Sequence, residues 1–210
     1  MITVIGSLKG GSGKSTVTFN LGVWLSMAGR SVQLIDLDPQ ATLSDVVDVR
    51  QEDGHEPRLS VVAGKDVGKL IDAEADHVLI DIGTANLDGM KQAIKLAEQI
   101  VVPVPPSQAD IWSTQRFLKF VSGLNGDRKP PTRAFINRAD THRAIRESDE
   151  AAAALVSLPD VEFVKPRLAQ RTVFRRSFSE GLAVFELEPR GKGAQEWNAL
   201  CAVLFNDVLS

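Results

Sequence analysis

Short apolar runs recur along the chain, at residues 2–6, 32–36, 59–63, 78–82, 100–104, 134–137 and 161–164. Several are β-branched and continuous rather than alternating. That is the pattern of strands buried on both faces, and hence of a parallel sheet. Stretches with helical periodicity lie between most of them, at 14–28, 86–97, 109–121, 141–155, 172–180 and 194–209. In the first, Val17, Leu21, Trp24, Leu25 and Ala28 share one stripe at the 3.6-residue period. Gly29 stands where a left-handed C-terminal cap is expected. Strands alternating with helices imply an α/β fold: a doubly wound, mostly parallel twisted sheet with helices on both faces. The polar segments 49–57, with Gly54 and Pro57, and 126–132 read as exposed loops. Without a repeat or a low-complexity tract, one domain over 1–210 is expected.

Composition removes several classes. The net charge is −3, so the molecule as a whole does not attract nucleic acid, and any such contact needs a local patch. The single cysteine, Cys201, excludes an internal disulfide and a cluster held by several thiolates of one chain. No apolar run approaches the ~18 residues of a membrane span. A chain that enters a strand-like run at once shows no secretion signal, so a cytoplasmic location is expected.

The chemistry concentrates after the first run, in "GSLKGGSGKST", Gly6 to Thr16. A strand, a glycine-rich turn and a helix beginning near Lys14 make a phosphate site. Amide N–H groups at the helix N-terminus face the anion, and the helix dipole favours its charge. Lys14 would reach the β- and γ-phosphates of a nucleotide, and the Ser15 hydroxyl would ligate Mg²⁺. An ordinary phosphate loop asks for glycine five positions before Gly13, where this chain has Leu8. The match is instead to K-G-G-x-G-K-[ST]-[ST], with Lys9 as an added charge.

This loop resembles the deviant Walker A motif of the ParA/MinD superfamily of ATPases. The resemblance implies that Lys9, Gly10, Gly11, Ser12, Gly13, Lys14, Ser15 and Thr16 hold ATP or ADP. It also implies that Lys9 crosses a dimer interface to the partner's nucleotide. "LIDLDPQ", Leu34 to Gln40, looks like the family's switch I. By family position Asp38 would orient the attacking water and Asp36 would help hold the Mg²⁺ shell. "HVLID" would be Walker B, with Asp81 on the metal through water. After it the family often carries a Thr-Pro-Pro run; here "IGTANLD" leaves Gly83 and Thr84 for switch II. "VPVPPSQAD" matches the family's proline-rich turn, which places Asp110 at the dimer interface. "INR", with Asn137 and Arg138, lies where the family often contacts adenine.

The run "FVKPRLAQRTVFRRSFSEG" carries Lys165, Arg167, Arg171, Arg175 and Arg176 with no acidic residue before Glu180. If 167–176 is helical, Arg167, Arg171 and Arg175 share a face at a spacing of four, and Phe174 and Phe178 face the core. Two readings stand: a solvated basic helix face, or a phosphate-backbone patch for non-specific DNA that dimerisation doubles. The segment "QRTVFRRSFSEGLAVFE" is similar to the C-terminal part of short plasmid-type ParA proteins, which favours DNA. The last stretch, "EWNALCAVLFNDVLS", has no basic residue, so it is expected to pack rather than to bind an anionic membrane.

The resemblance therefore implies an ATP-dependent homodimer with slow, Mg²⁺-dependent hydrolysis acting as a timer. A ParB-like centromere-binding or adaptor protein would stimulate it, and the dimer would ride on the nucleoid. The alternatives are a MinD-like positioning ATPase on membranes and a biosynthetic P-loop ligase; the second would need an acceptor pocket, for which the chain is expected to be too short.

Overall fold

The computed structural model describes residues 1–126, 128–141 and 146–208. Seven parallel strands form one sheet: β1 (Ile2–Ile5), β2 (Val32–Asp36), β3 (Ser60–Ala63), β4 (His77–Asp81), β5 (Gln99–Val104), β6 (Thr132–Ala139) and β7 (Glu162–Ala169). Their order is β3-β2-β4-β1-β5-β6-β7, with β1 flanked by β4 and β5. The strand order reverses there, which opens a crevice at the carboxyl ends of β1, β2 and β4.

Two apolar layers cover the sheet. One packs α1 (Lys14–Met27), α2 (Thr42–Glu52), α7 (Thr172–Ser179), α8 (Val184–Leu187) and α9 (Lys192–Leu204) around Phe19, Leu34, Phe135 and Trp197. The other packs α3 (Val67–Leu70), α4 (Leu87–Leu96), α5 (Gln108–Asn125) and α6 (Glu147–Val156) around Ile80, Ile94, Val102 and Phe117. The middle of each central strand is apolar because both faces are covered, and polar residues such as Gln33, His77 and Gln99 stand toward the strand ends.

The helix that follows the glycine-rich loop is more deeply embedded than a one-stripe pattern implies. Val17, Leu21 and Leu25 are buried as expected, but so are Phe19, Asn20 and Val23; Trp24 is half-buried and Ala28 is exposed. Gly29 caps α1 at φ 79, and the Arg30 amide donates back to the Leu25 carbonyl at 3.1 Å. The expected loop over 49–57 is corrected in its first part, because α2 continues to Glu52. Its buried positions are Leu43, Val46, Val47 and Arg50. A buried arginine in the fourth place hides the apolar period.

The last strand is also longer than its apolar run. Lys165, Pro166 and Arg167 lie inside β7, so Arg167 is not on a helix with Arg171 and Arg175. An edge strand tolerates proline and charge that a central strand does not. Its register with β6 is irregular between Phe135 and Ala139. The opposite edge, β3, is only four residues long. Of the expected helix over 141–155, only the part from Glu147 onward is observed, as α6; residues 141 and 146 are not helical, and 142–145 lie outside the described residues. The 194–209 helix begins at Lys192, ends at Leu204 and is followed by a 3₁₀ turn, Asn206–Val208.

Candidate functional site

At the carboxyl end of β1 the chain turns through residues 6–13 into α1. Gly11 and Gly13 take left-handed φ angles of 75 and 91, open only to glycine at low cost. A Cβ on Gly13 would also lie 2.5 Å from Asn137 Nδ2. That amide donates to the Ser12 carbonyl at 2.7 Å, so β6 holds the loop in its curve. Ser7 Oγ donates to the Lys9 carbonyl at 3.0 Å and lies 3.0 Å from Ser12 Oγ. Among the described residues, the amide N–H groups of 10–16 donate to no protein acceptor. They form a row of donors at a helix N-terminus, which is an anion cradle.

Lys14 lies within the cradle and is buried. Its Nζ donates to Ser7 Oγ at 3.4 Å and to the Lys9 carbonyl at 3.3 Å. Both bonds are long, leaving the ammonium available to a stronger acceptor. Burial lowers its pKa, opposed by the negative charge of Asp81 and Asp38. Lys9 behaves differently. Its Nζ turns back within the chain to Asp110 Oδ1 at 2.9 Å. Asp110 is held in turn at the start of α5, where the Ser107 hydroxyl donates to its other oxygen.

Three aspartates face this loop, each with a different role. Both oxygens of Asp36 are engaged: Oδ1 accepts the Asp38 amide at 3.0 Å, and Oδ2 accepts the Ser44 amide at 3.0 Å and its hydroxyl at 2.9 Å. Asp36 thus ties the end of β2 to the first turn of α2. Asp38 is partly exposed and seated against Gly83, where a Cβ would meet its Cα and Cγ at 2.7 Å. Gly83 is therefore required by close backbone approach. Asp81 is buried, and neither of its oxygens has a hydrogen-bond partner among the described residues. Burial pushes its pKa up to about 7, opposed by the Ser15 hydroxyl, which acts from outside strict hydrogen-bond geometry, and by Lys14; Asp36 and Asp38 add to the rise.

An orphaned buried carboxylate beside a serine hydroxyl fits a magnesium ion. Among the described residues no group of three or more acidic, histidine or cysteine side chains forms a cage. That suits an ion held chiefly by phosphate oxygens and water, with Ser15 as ligand and Asp81 behind it.

Sequence reasoning missed several contributors. Asn86 caps α4 by accepting the Gly89 amide at 2.9 Å and donates to the Leu37 carbonyl at 3.1 Å, joining the segment after β4 to the segment after β2. An asparagine just before a helix carries that signal. Ser7 and the pair formed by Arg50 and Glu186 gave none. Arg50 is fully buried, donates to both Glu186 oxygens at 2.9 Å and to the Pro57 and Gly181 carbonyls at 2.9 Å. It locks α2 to the turn between α7 and α8.

A cavity of about 430 Å³ opens beside the cradle. Gly13 and Thr16 bound one end, with Asn137 and Arg138 from β6. Val17, Leu168, Phe174 and Phe178 give it an apolar wall. Arg171 and Arg175 line it too. Arg171 is already committed, with Nη2 2.6 Å from Glu196 Oε1 and Nε 3.1 Å from both oxygens. The paired carboxylate raises its pKa. Arg167 pairs with Asp149 at 2.8 Å. Among the described residues, Lys165, Arg175 and Arg176 have no carboxylate partner and are exposed. The five basic residues are thus not one continuous patch.

A sequence model of the CobQ/CobB/MinD/ParA nucleotide binding domain matches residues 3–184. The chain is 28% identical over 198 residues to "Maintenance of carboxysome distribution protein A" of Halothiobacillus neapolitanus, covering 91% of this chain and 90% of that one. In structure it is similar to a plasmid partition protein of Borrelia burgdorferi bound to AMPPNP, with TM-score 0.79, 18% identity and 98% of each chain covered. It is also similar to the septum site-determining protein MinD of Pyrococcus horikoshii complexed with Mg-ADP, with TM-score 0.74, 20% identity, and 97% and 95% of the two chains covered.

Proposed function

Because the chain belongs to the CobQ/CobB/MinD/ParA nucleotide-binding family, we propose that it is a ParA-like partition or positioning ATPase. ATP closes two copies into a dimer, the dimer binds DNA without sequence preference, and slow hydrolysis releases it. The observation that carries this reading is the row of free amides over residues 10–16 with Lys14 buried among them.

The amides and Lys14 bind the phosphates and neutralise the charge that grows on them in phosphoryl transfer. Ser15 would hold Mg²⁺ with Asp81 behind it, and the ion would supply further positive charge beside the phosphates. Asp38, partly exposed and seated on Gly83, holds the attacking water. Lys9 leaves Asp110 and reaches the partner's nucleotide. A γ-phosphate is then needed for closure, and its loss opens the dimer.

Lys165 and Arg176 supply free charge to the DNA phosphates, and Arg167 joins once its pair with Asp149 opens. The cargo is DNA or another large body carried over the nucleoid. The named relatives act on carboxysome distribution and plasmid partition. A ParB-like or adaptor protein stimulates hydrolysis.

The test is to size the protein with Mg-ADP and with a non-hydrolysable ATP analogue, with and without DNA. A dimer only with the analogue, shifting DNA in gels, supports the proposal. A particle that stays single with the analogue sinks it. Binding to anionic liposomes in place of DNA moves the chain to a MinD-like membrane role. Substituting Lys165 and Arg176 by Gln is expected to weaken DNA binding and flatten its salt dependence while nucleotide binding persists.

A further inference from the structure

Of the three arginines spaced by four, Arg167 lies in β7, Arg171 stands just ahead of α7 and Arg175 lies within it, with Ser179 one turn further on; Arg171, Arg175 and Ser179 form one stripe. All three line the cavity that begins at Gly13 and Thr16. The stripe therefore faces the end of the phosphate cradle, with Phe174 and Phe178 beside it on the same wall. Arg176 is one residue, about 100° of helix, off that stripe and does not line the cavity.

The lining is suited to a nucleoside. It is apolar at Val17, Leu168, Phe174 and Phe178, and polar at Thr16, Asn137 and Gln170. Its volume is in the range that holds small ligands. Trp197 also lines it, and its buried indole N–H has no acceptor among the described residues. The cationic groups at the cavity differ in freedom. The carboxylate of Glu196 saturates one edge of Arg171 and also accepts the Ala169 amide at 3.1 Å, so Arg171 is a fixed wall. Arg175 has no carboxylate within reach among the described residues. A planar guanidinium with unspent donors stacks on an aromatic ring and hydrogen-bonds at its edge, which an ammonium cannot do.

We propose that Arg175 contacts the nucleoside of the bound nucleotide, laying its guanidinium against the base in this cavity, and so belongs to the nucleotide site and not to the DNA surface. This rests on the nucleotide-binding reading given above. It also makes α7 a two-sided element, with one side touching the nucleotide and Arg176 turned outward on the other.

The experiment is calorimetric titration of the full chain with three probes: a non-hydrolysable ATP analogue with Mg²⁺, ADP with Mg²⁺, and inorganic tripolyphosphate with Mg²⁺. The variants are Arg175→Gln, Arg175→Lys and, as a charge-matched control, Arg190→Gln at an exposed site ahead of α9. Thermal melts establish that each variant is folded. Arg175→Gln is expected to weaken both nucleotides by roughly three- to thirtyfold and leave tripolyphosphate unchanged. Arg175→Lys is expected to weaken them as well, since charge without the plane does not restore the stack. Arg190→Gln is expected to match the original protein. Nucleotide affinities unchanged in folded Arg175→Gln would overturn this inference and leave the ATPase reading intact. So would an equal loss for tripolyphosphate, which would place Arg175 on the phosphates. An original protein that binds none of the three probes removes both readings together.

Discussion

Asp110→Asn is expected to tighten the ATP-driven dimer. In the single chain Lys9 Nζ sits 2.9 Å from Asp110 Oδ1, with Lys9 half exposed and Asp110 nearly buried. If Lys9 crosses to the partner's phosphates, that ion pair must break once in each chain. A pair of this exposure is worth about 0.5–1 kcal/mol. Two of them oppose closure by about 1–2 kcal/mol, or roughly 5- to 30-fold in the dimer dissociation constant. Asparagine keeps the shape at the head of α5 and still reaches Ser107, so the helix start survives while the latch loses its charge. Sedimentation equilibrium with a non-hydrolysable ATP analogue measures the effect. The gap between variant and original should narrow as salt rises, because the latch is partly exposed and screened. A dissociation constant that is unchanged or weaker in Asp110→Asn refutes the idea that this contact restrains Lys9.

Asp38→Ala is expected to bind ATP and accumulate as a dimer with hydrolysis lost; turnover at the original rate would remove Asp38 from the water-holding role. Asp81 gives a pH signature. Its folded pKa of about 7 lies above its unfolded value of 3.8, so the folded state holds the proton more tightly. Its contribution to stability is complete below about pH 4 and is lost as pH rises to about 7. In metal-free melts Asp81→Asn should therefore gain on the original protein across that window, by about 4 kcal/mol at most; a constant gap would show that the carboxylate is not strained by burial. Glu186→Ala leaves the fully buried Arg50 without its counter-charge and should cost about 3 kcal/mol, near the lower end for a broken buried pair because water reaches Glu186. That is a melting point lower by roughly 6–12 °C, and no change would mean the guanidinium finds water.

Local signals carried most of the site. The phosphate loop is a short string whose residue types each have a mechanical reason, so Gly13, Lys14 and Ser15 were legible without the fold. The buried strands were legible because covering both faces leaves a continuous apolar run in each, as in Val78–Ile80 and Ile100–Val102. What was not legible depended on distant partners. Asn137 read only as an adenine contact; besides lining the cavity beside the cradle, its amide donates to the Ser12 carbonyl across 125 residues of chain. Arg50 looked like a polar residue in a loop because Glu186, which makes its burial tolerable, lies 136 residues away. The basic run looked like one surface because sequence does not show that Glu196 and Asp149 neutralise two of its members, or that β7 extends through Lys165 and Arg167.

The margins of the sheet restrict how copies of this chain can join. One border strand is four residues long; the other is interrupted by Pro166, carries Lys165 and Arg167, and departs from regular pairing with its neighbour. Neither offers a clean run of unpaired peptide groups on which another copy could extend the sheet. Filaments grown by strand-to-strand continuation are thus disfavoured at both borders. In the dimer proposed above, copies would therefore meet at the crest where the loops gather, under the control of the nucleotide held there.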